Sequence, residues 1–152
     1  MSRAAIEGFL RRHSKIGLDT SVFIFQVEGN PRYLDLVRPI FSWIEGPSGR
    51  AVTSTITLLE LLVLPYRSGD AKRVNDYYAL LSTFPHLEWA APTLAIADRA
   101  ARLRAEFQLR TPDAIQAATA MLGQADGFIS NDQAFRRLTG IDVLILEDVA
   151  AP

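Results

Sequence analysis

The sequence predicts an α/β domain: a three-layer α/β/α sandwich around a central, mostly parallel sheet of about five short strands. Two observations carry this. Short apolar runs alternate along the chain with longer segments of helical spacing, and parallel strands need helical crossovers between them. The 152 residues, 49% hydrophobic and 22% charged, also suit a single packed domain rather than a disordered or fibrous chain.

The elements follow in order. In residues 1–13, Ile6, Phe9 and Leu10 recur at helical spacing among Arg3, Arg11 and Arg12, which reads as a basic lead ahead of one domain spanning 14–152. Residues 15–18 form the first strand and end at Asp19, and Thr20 and Ser21 then open a helix through Val27. Leu34, Val37, Phe41 and Ile44 mark the next helix, and Gly46-Pro47-Ser48-Gly49 is a turn before the strand at 51–53. Residues 55–64 are a helix ended by Pro65, 70–83 a helix ended near Pro85, and 87–90 the third strand. Helices at 92–107 and 112–122 begin with proline, whose missing N–H costs nothing in a first turn. Strands at 128–130 and 143–146 flank a short helix around 133–138.

Composition excludes several chemistries. The formal charge is −1, so a nucleic-acid partner needs a local basic patch rather than an overall positive field. There is no cysteine, and only His13 and His86, which leaves no thiol nucleophile and no histidine-rich zinc centre. Neither GxGxxG nor GxxxxGK[ST] occurs. No apolar run reaches the roughly 18 residues of a membrane span, and the start MSRAAIEGFLRRHSK lacks a signal-peptide core, so a cytoplasmic protein without a membrane partner is expected.

Four acids remain as candidates. Asp19 follows the first strand, Glu60 lies inside a helix, Asp113 is in the first turn of another, and Asp132 follows the fourth strand. Asp19 and Asp132 are also placed to cap helices, and Asp113, behind a Thr111 cap and Pro112, to meet a helix dipole. Glu60 stands in Ile56-Thr57-Leu58-Leu59-Glu60-Leu61-Leu62-Val63-Leu64, a helix apolar all round. Such a helix is expected to be buried, with the carboxylate paired, for instance with Arg67, or bound to a metal. Small residues after Asp113, namely Ala114, Ala117, Ala118 and Ala120, let that helix approach the sheet and bring Asp113 toward Asp19. Carboxylates arriving together from two strand ends and two helices would hold a hard cation, Mg²⁺ or Mn²⁺.

The segments Gly17-Leu18-Asp19-Thr20-Ser21-Val22, Ser54-Thr55-Ile56-Thr57-Leu58-Leu59-Glu60, Thr111-Pro112-Asp113-Ala114-Ile115-Gln116-Ala117-Ala118 and Phe128-Ile129-Ser130-Asn131-Asp132 together resemble the PIN-domain ribonucleases, in particular the VapC-type toxins of toxin-antitoxin pairs. The resemblance implies a metal-dependent endoribonuclease with Asp19, Glu60, Asp113 and Asp132 as catalytic metal ligands, and with Ser130 where the family more often has Thr. It also implies a small antitoxin partner and a homodimer. The alternatives in the same fold are a solitary nuclease of RNA processing and a non-catalytic binding module.

In such an enzyme a bound ion activates water and stabilises the leaving oxygen, with Ser21 and Ser130 orienting ligands from behind. The basic residues are 14 Arg and two Lys, and Arg99, Arg102 and Arg110 are candidate RNA contacts. Trp43, Trp89 and Tyr66 read as packing residues. An aspartyl-phosphate mechanism at Asp19 lacks support, because position 21 is Ser and no late lysine is present.

Overall fold

The computed structural model describes residues 2–152. Strands β1 (Ile16–Leu18), β2 (Ala51–Ser54), β3 (Leu87–Ala90), β4 (Gly127–Ser130) and β5 (Asp142–Ile145) alternate with helices α1 (Ser2–Arg12), α2 (Thr20–Glu28), α3 (Leu34–Glu45), α4 (Ile56–Arg67), α5 (Ala71–Leu81), α6 (Leu94–Phe107), α7 (Thr111–Leu122) and α8 (Leu146–Val149). A 3-10 helix, Gln133–Arg137, follows β4. The sheet runs β3-β2-β1-β4-β5 with every neighbouring pair parallel. The chain therefore steps outward from β1 to β3 and returns on the other side of β1 for β4 and β5. Strand order reverses between β1 and β4, and the crevice beyond their carboxyl ends is where such sheets bind ligands.

Alternation along the strands divides the core in two. Ile16, Leu18 and Ile129 pack with α1 to α5 on one face, while Phe128 and Ile145 pack with α6 and α7 on the other. The alanines of α7 do what their size predicts. Ala114, Ala117, Ala118 and Ala120 are all buried, and a Cβ added at Gly17 would lie 2.3 Å from the Ala120 Cβ. Glycine in β1 and alanine in α7 thus let helix and strand approach to a distance no larger pair allows, which carries the start of α7 up to the end of β1.

Some local expectations are corrected. Pro65 does not end its helix: α4 runs to Arg67, because a proline in the last turn forfeits a single hydrogen bond. Thr111 is the first helical residue of α7 rather than its cap; Arg110 holds the cap position with extended backbone and no capping side-chain bond. The helical spacing at 1–13 gives a helix, α1, but not a lead apart from the domain: its Ile6, Phe9 and Leu10 are buried in the first core layer. The Phe9 ring of α1 and the His13 ring just after it lie 3.0 Å from the position a Cβ would take on Gly127, so the end of the helix sits directly on the start of β4. No helix among the described residues is long and apolar enough to cross a membrane.

Candidate active site

Asp19 begins the site. It leaves β1 with extended backbone and caps α2, its Oδ1 accepting the Ser21 N–H at 2.8 Å. Its Oδ2 accepts the Ser130 hydroxyl at the end of β4. The residue is only 7% exposed, and burial pushes its carboxyl up from 3.8 to about 6. The two hydrogen bonds oppose that rise, while the negative charges of Asp113 and Glu60 add to it.

Asp113 lies in the first turn of α7, 8% exposed, and its carboxyl is likewise raised by burial. Arg110 Nε donates to its Oδ2 at 3.1 Å and pulls the other way, while Asp132 pushes it up. Asp132 caps the 3-10 helix through the Ala134 N–H at 2.9 Å, and its Oδ2 lies 3.5 Å from Arg110 Nη2. Ser130 is fully buried and links the acids: its hydroxyl donates to Asp19 and accepts the Asp132 N–H at 2.9 Å. Ser21 Oγ accepts the Asn131 N–H at 3.0 Å and so holds the loop after β4 against the start of α2.

Glu60 departs from expectation. It is exposed and in no ion pair with Arg67 or any other cation of the described residues. Its Oε1 instead accepts the Thr20 hydroxyl at 2.8 Å. Helix α4 is apolar all round yet buries only Thr57, Leu61, Leu62 and Pro65, leaving Leu59 62% and Tyr66 64% exposed beside Val63 and Leu64. An outer helix of one chain has only its inner side covered, so apolar residues on both sides do not make it a buried helix.

The four acids gather at one end of the sheet, but they do not form a closed cage. Among the described residues, no three of His, Cys, Asp or Glu stand close enough to enclose one ion. A side chain of the protein itself stands between two of them: the Arg110 guanidinium, 75% exposed, spans Asp113 and Asp132. The donor set nevertheless fits a hard cation. Every candidate donor is an oxygen, and Asp19 is a buried carboxylate that among the described residues is in no ion pair and accepts from a hydroxyl and a backbone N–H.

The PIN domain family model matches residues 16–141, from β1 to the residue before β5. The chain belongs to the PIN domain family. Solved structures similar to this PIN domain include a toxin-antitoxin complex from Klebsiella pneumoniae, at 25% identity over 88% of this chain and 98% of that chain, with a TM-score of 0.66. DNA-bound VapBC from Salmonella typhimurium has 23% identity, covers 87% and 98%, and has a TM-score of 0.63. VapBC-5 of Mycobacterium tuberculosis has 25% identity, covers 87% and 97%, and has a TM-score of 0.55. No curated protein matches the chain.

Beneath the acids, this PIN domain carries a buried polar network that sequence reasoning missed. Gln116 Nε2 donates to Thr57 Oγ1 at 2.8 Å, and Gln116 Oε1 accepts the Ser54 N–H at 3.2 Å. Thr53 Oγ1 donates to the Leu18 carbonyl at 2.7 Å and lies 2.7 Å from Thr57 Oγ1, while Thr20 passes the connection on to Glu60. The signal for it was one amide side chain, Gln116, among the alanines of α7, since a buried amide needs partners. Arg110, a candidate RNA contact, is placed among the acids. Arg99 and Arg102 are not: Arg102 pairs with Asp98 on α6, and Arg99 lies 3.9 Å from the Met121 sulfur, eight positions and about 12 Å along α7 from Asp113.

Proposed function

We propose that this PIN domain is a metal-dependent endoribonuclease and the toxin of a toxin-antitoxin pair. The observation that carries the reading is Asp19, a buried carboxylate at the switch point of the sheet with its pKa raised to about 6 and, among the described residues, no ion-pair partner. Asp19, Asp113, Glu60 and Asp132 are the proposed holders of Mg²⁺ or Mn²⁺. A divalent ion bound there supplies an activated water and a counter-charge for the departing oxygen of a phosphodiester.

The protein's own residues do the rest. Ser21 and Ser130 fix both oxygens of Asp19, and Thr20 fixes Glu60, so the acidic edge is set before substrate arrives. Arg110, exposed, hydrogen-bonded to Asp113 and ion-paired with Asp132, exchanges one of them for a phosphate oxygen of the strand being cut. The antitoxin is proposed on the strength of the toxin-antitoxin structures of the same fold, two of them 25% identical. The uncovered face of α4, with Leu59, Val63, Leu64 and Tyr66, offers an apolar seat for it or for a second copy of the chain.

Cleavage of a structured RNA with Mg²⁺, Mn²⁺ or chelator tests the reading, with Asp113→Ala beside the parent. Activity is expected only with metal and only in the parent. Full-rate cleavage in chelator, or by Asp113→Ala, removes the acids from the reaction.

A further inference from the structure

We infer that the amino-terminal edge of the sheet, opposite the acids, is a binding cleft for single-stranded nucleic acid. A basic residue immediately precedes each of three adjacent strands: Lys15 before β1, Arg50 before β2 and His86 before β3. Their strands are in register, Ile16 beside Ala51 and Ala51 beside Leu87, so the three side chains form a row at the spacing of neighbouring strands, about 4.8 Å. Arg11, from the last turn of α1, joins the row across a cleft of about 690 Å³ that it lines with Lys15, Arg50 and Trp43. A second cleft of about 320 Å³ shares Lys15 and Arg50 and continues to His86.

Three carboxylates nearby have partners, which for Glu88 is Lys15 itself, and His86 Nδ1 lies 3.1 Å from the Ile44 carbonyl oxygen. Asp126 accepts the backbone N–H groups of Ser14 and Lys15, Asp142 lies 2.9 Å from His13 Nε2, and Glu88 pairs with Lys15. Among the described residues Arg11 and Arg50 are in no ion pair, so two guanidinium groups line the cleft with their phosphate-binding capacity unspent.

Trp43 supplies the second part. It is half-buried, and the turn after α3 is pinned to it: a Cβ on Gly49 would lie 1.9 Å from the Trp43 carbonyl oxygen and 2.8 Å from its ring. The indole is thus a fixed wall beside unpaired arginines, the pairing of aromatic surface and cations that holds successive bases and phosphates of an unpaired strand. The acids stand at the opposite, carboxyl-terminal edge of the sheet, so the cleft grips nucleic acid away from the site of cleavage and independently of it.

Binding in chelator tests this apart from any cleavage. The full chain is titrated with labelled single strands of about 12 nucleotides, RNA and DNA, and with a duplex of the same length. Arg11→Ala/Arg50→Ala is expected to weaken single-strand binding at least tenfold and to lower the salt slope by about 1.4, since two phosphates are left unneutralised at about 0.7 each. Arg38→Ala/Arg67→Ala, the same charge change elsewhere on the surface, is expected to weaken it much less. Tryptophan fluorescence should be quenched on binding in the parent and not in Trp43→Phe. The RNA and DNA arms identify which strand the cleft prefers. Equal losses in the two double variants, a quench that survives Trp43→Phe, or tighter binding of duplex than of either single strand overturns the proposal.

Discussion

Replacing Asp19 with Asn should stabilise the metal-free protein at neutral pH and barely change it in acid. The Asp19 carboxyl stands at about 6 in the folded chain against an ordinary value of 3.8. Between those values the folded state holds a proton that the unfolded chain has released, so stability falls as pH rises through the window. The gap amounts to about 3 kcal/mol above pH 6. Asn cannot ionise and keeps an oxygen for the Ser21 N–H, so it escapes this loss. Asp126 and Glu147, held below their ordinary values by hydrogen bonds, give slopes of the opposite sign, but both proteins share them. At about 2–4 °C per kcal/mol for a chain of this size, Asp19→Asn should gain about 6–12 °C over the parent between acid and neutral pH. Thermal melts in chelator at several pH values measure it. Under the proposed metal binding, Mg²⁺ should lift the parent more than the variant at neutral pH. If the difference in Tm is the same at every pH, Asp19 is not a carboxylate charged against its burial, and its part in the site loses its physical ground.

Gly17→Ala should destabilise by about 1–3 kcal/mol, because the new methyl would stand 2.3 Å from Ala120 and 2.8 Å from Phe128; an unchanged melting temperature would mean that α7 gives way freely. Gln116→Leu removes the partner of Ser54 N–H and one of the partners of Thr57 Oγ1, should cost about 1–3 kcal/mol in denaturant melts, and should lower cleavage at fixed Mg²⁺ beyond that loss of folded protein. Leu59→Asp with Val63→Asp, both on the uncovered side of α4, should leave the melting temperature within about 1 kcal/mol of the parent. The same change should abolish neutralisation by a co-expressed antitoxin, and retained neutralisation would move the partner to another face.

The alternation of strand and helix was legible because period and punctuation are local properties: Leu34, Val37, Phe41 and Ile44 mark a helix in any fold, and Gly46 to Gly49 a turn. The alanines of α7 also announced close approach, and Gly17 opposite Ala120 is its structural form. Burial of α4 was misjudged for a reason equally physical. Periodicity reports which residues are apolar, but whether an apolar side is covered depends on what packs there, and here one side of α4 is open.

By itself, then, the sequence determined the α/β class, the order of the elements and the residue types of the acidic set, because these depend on local spacing and on chemistry carried by each side chain. Tertiary structure alone decided the strand order β3-β2-β1-β4-β5, which sends Asp19 and Ser130 from distant parts of the chain into one hydrogen bond. It alone decided that Arg110 spans Asp113 and Asp132 while Arg99 and Arg102 face elsewhere, and that Lys15, Arg50 and His86 stand in a row. Such juxtapositions follow from which strands pair and which faces are covered, and those are set by the packing of the whole chain rather than by any local stretch of it.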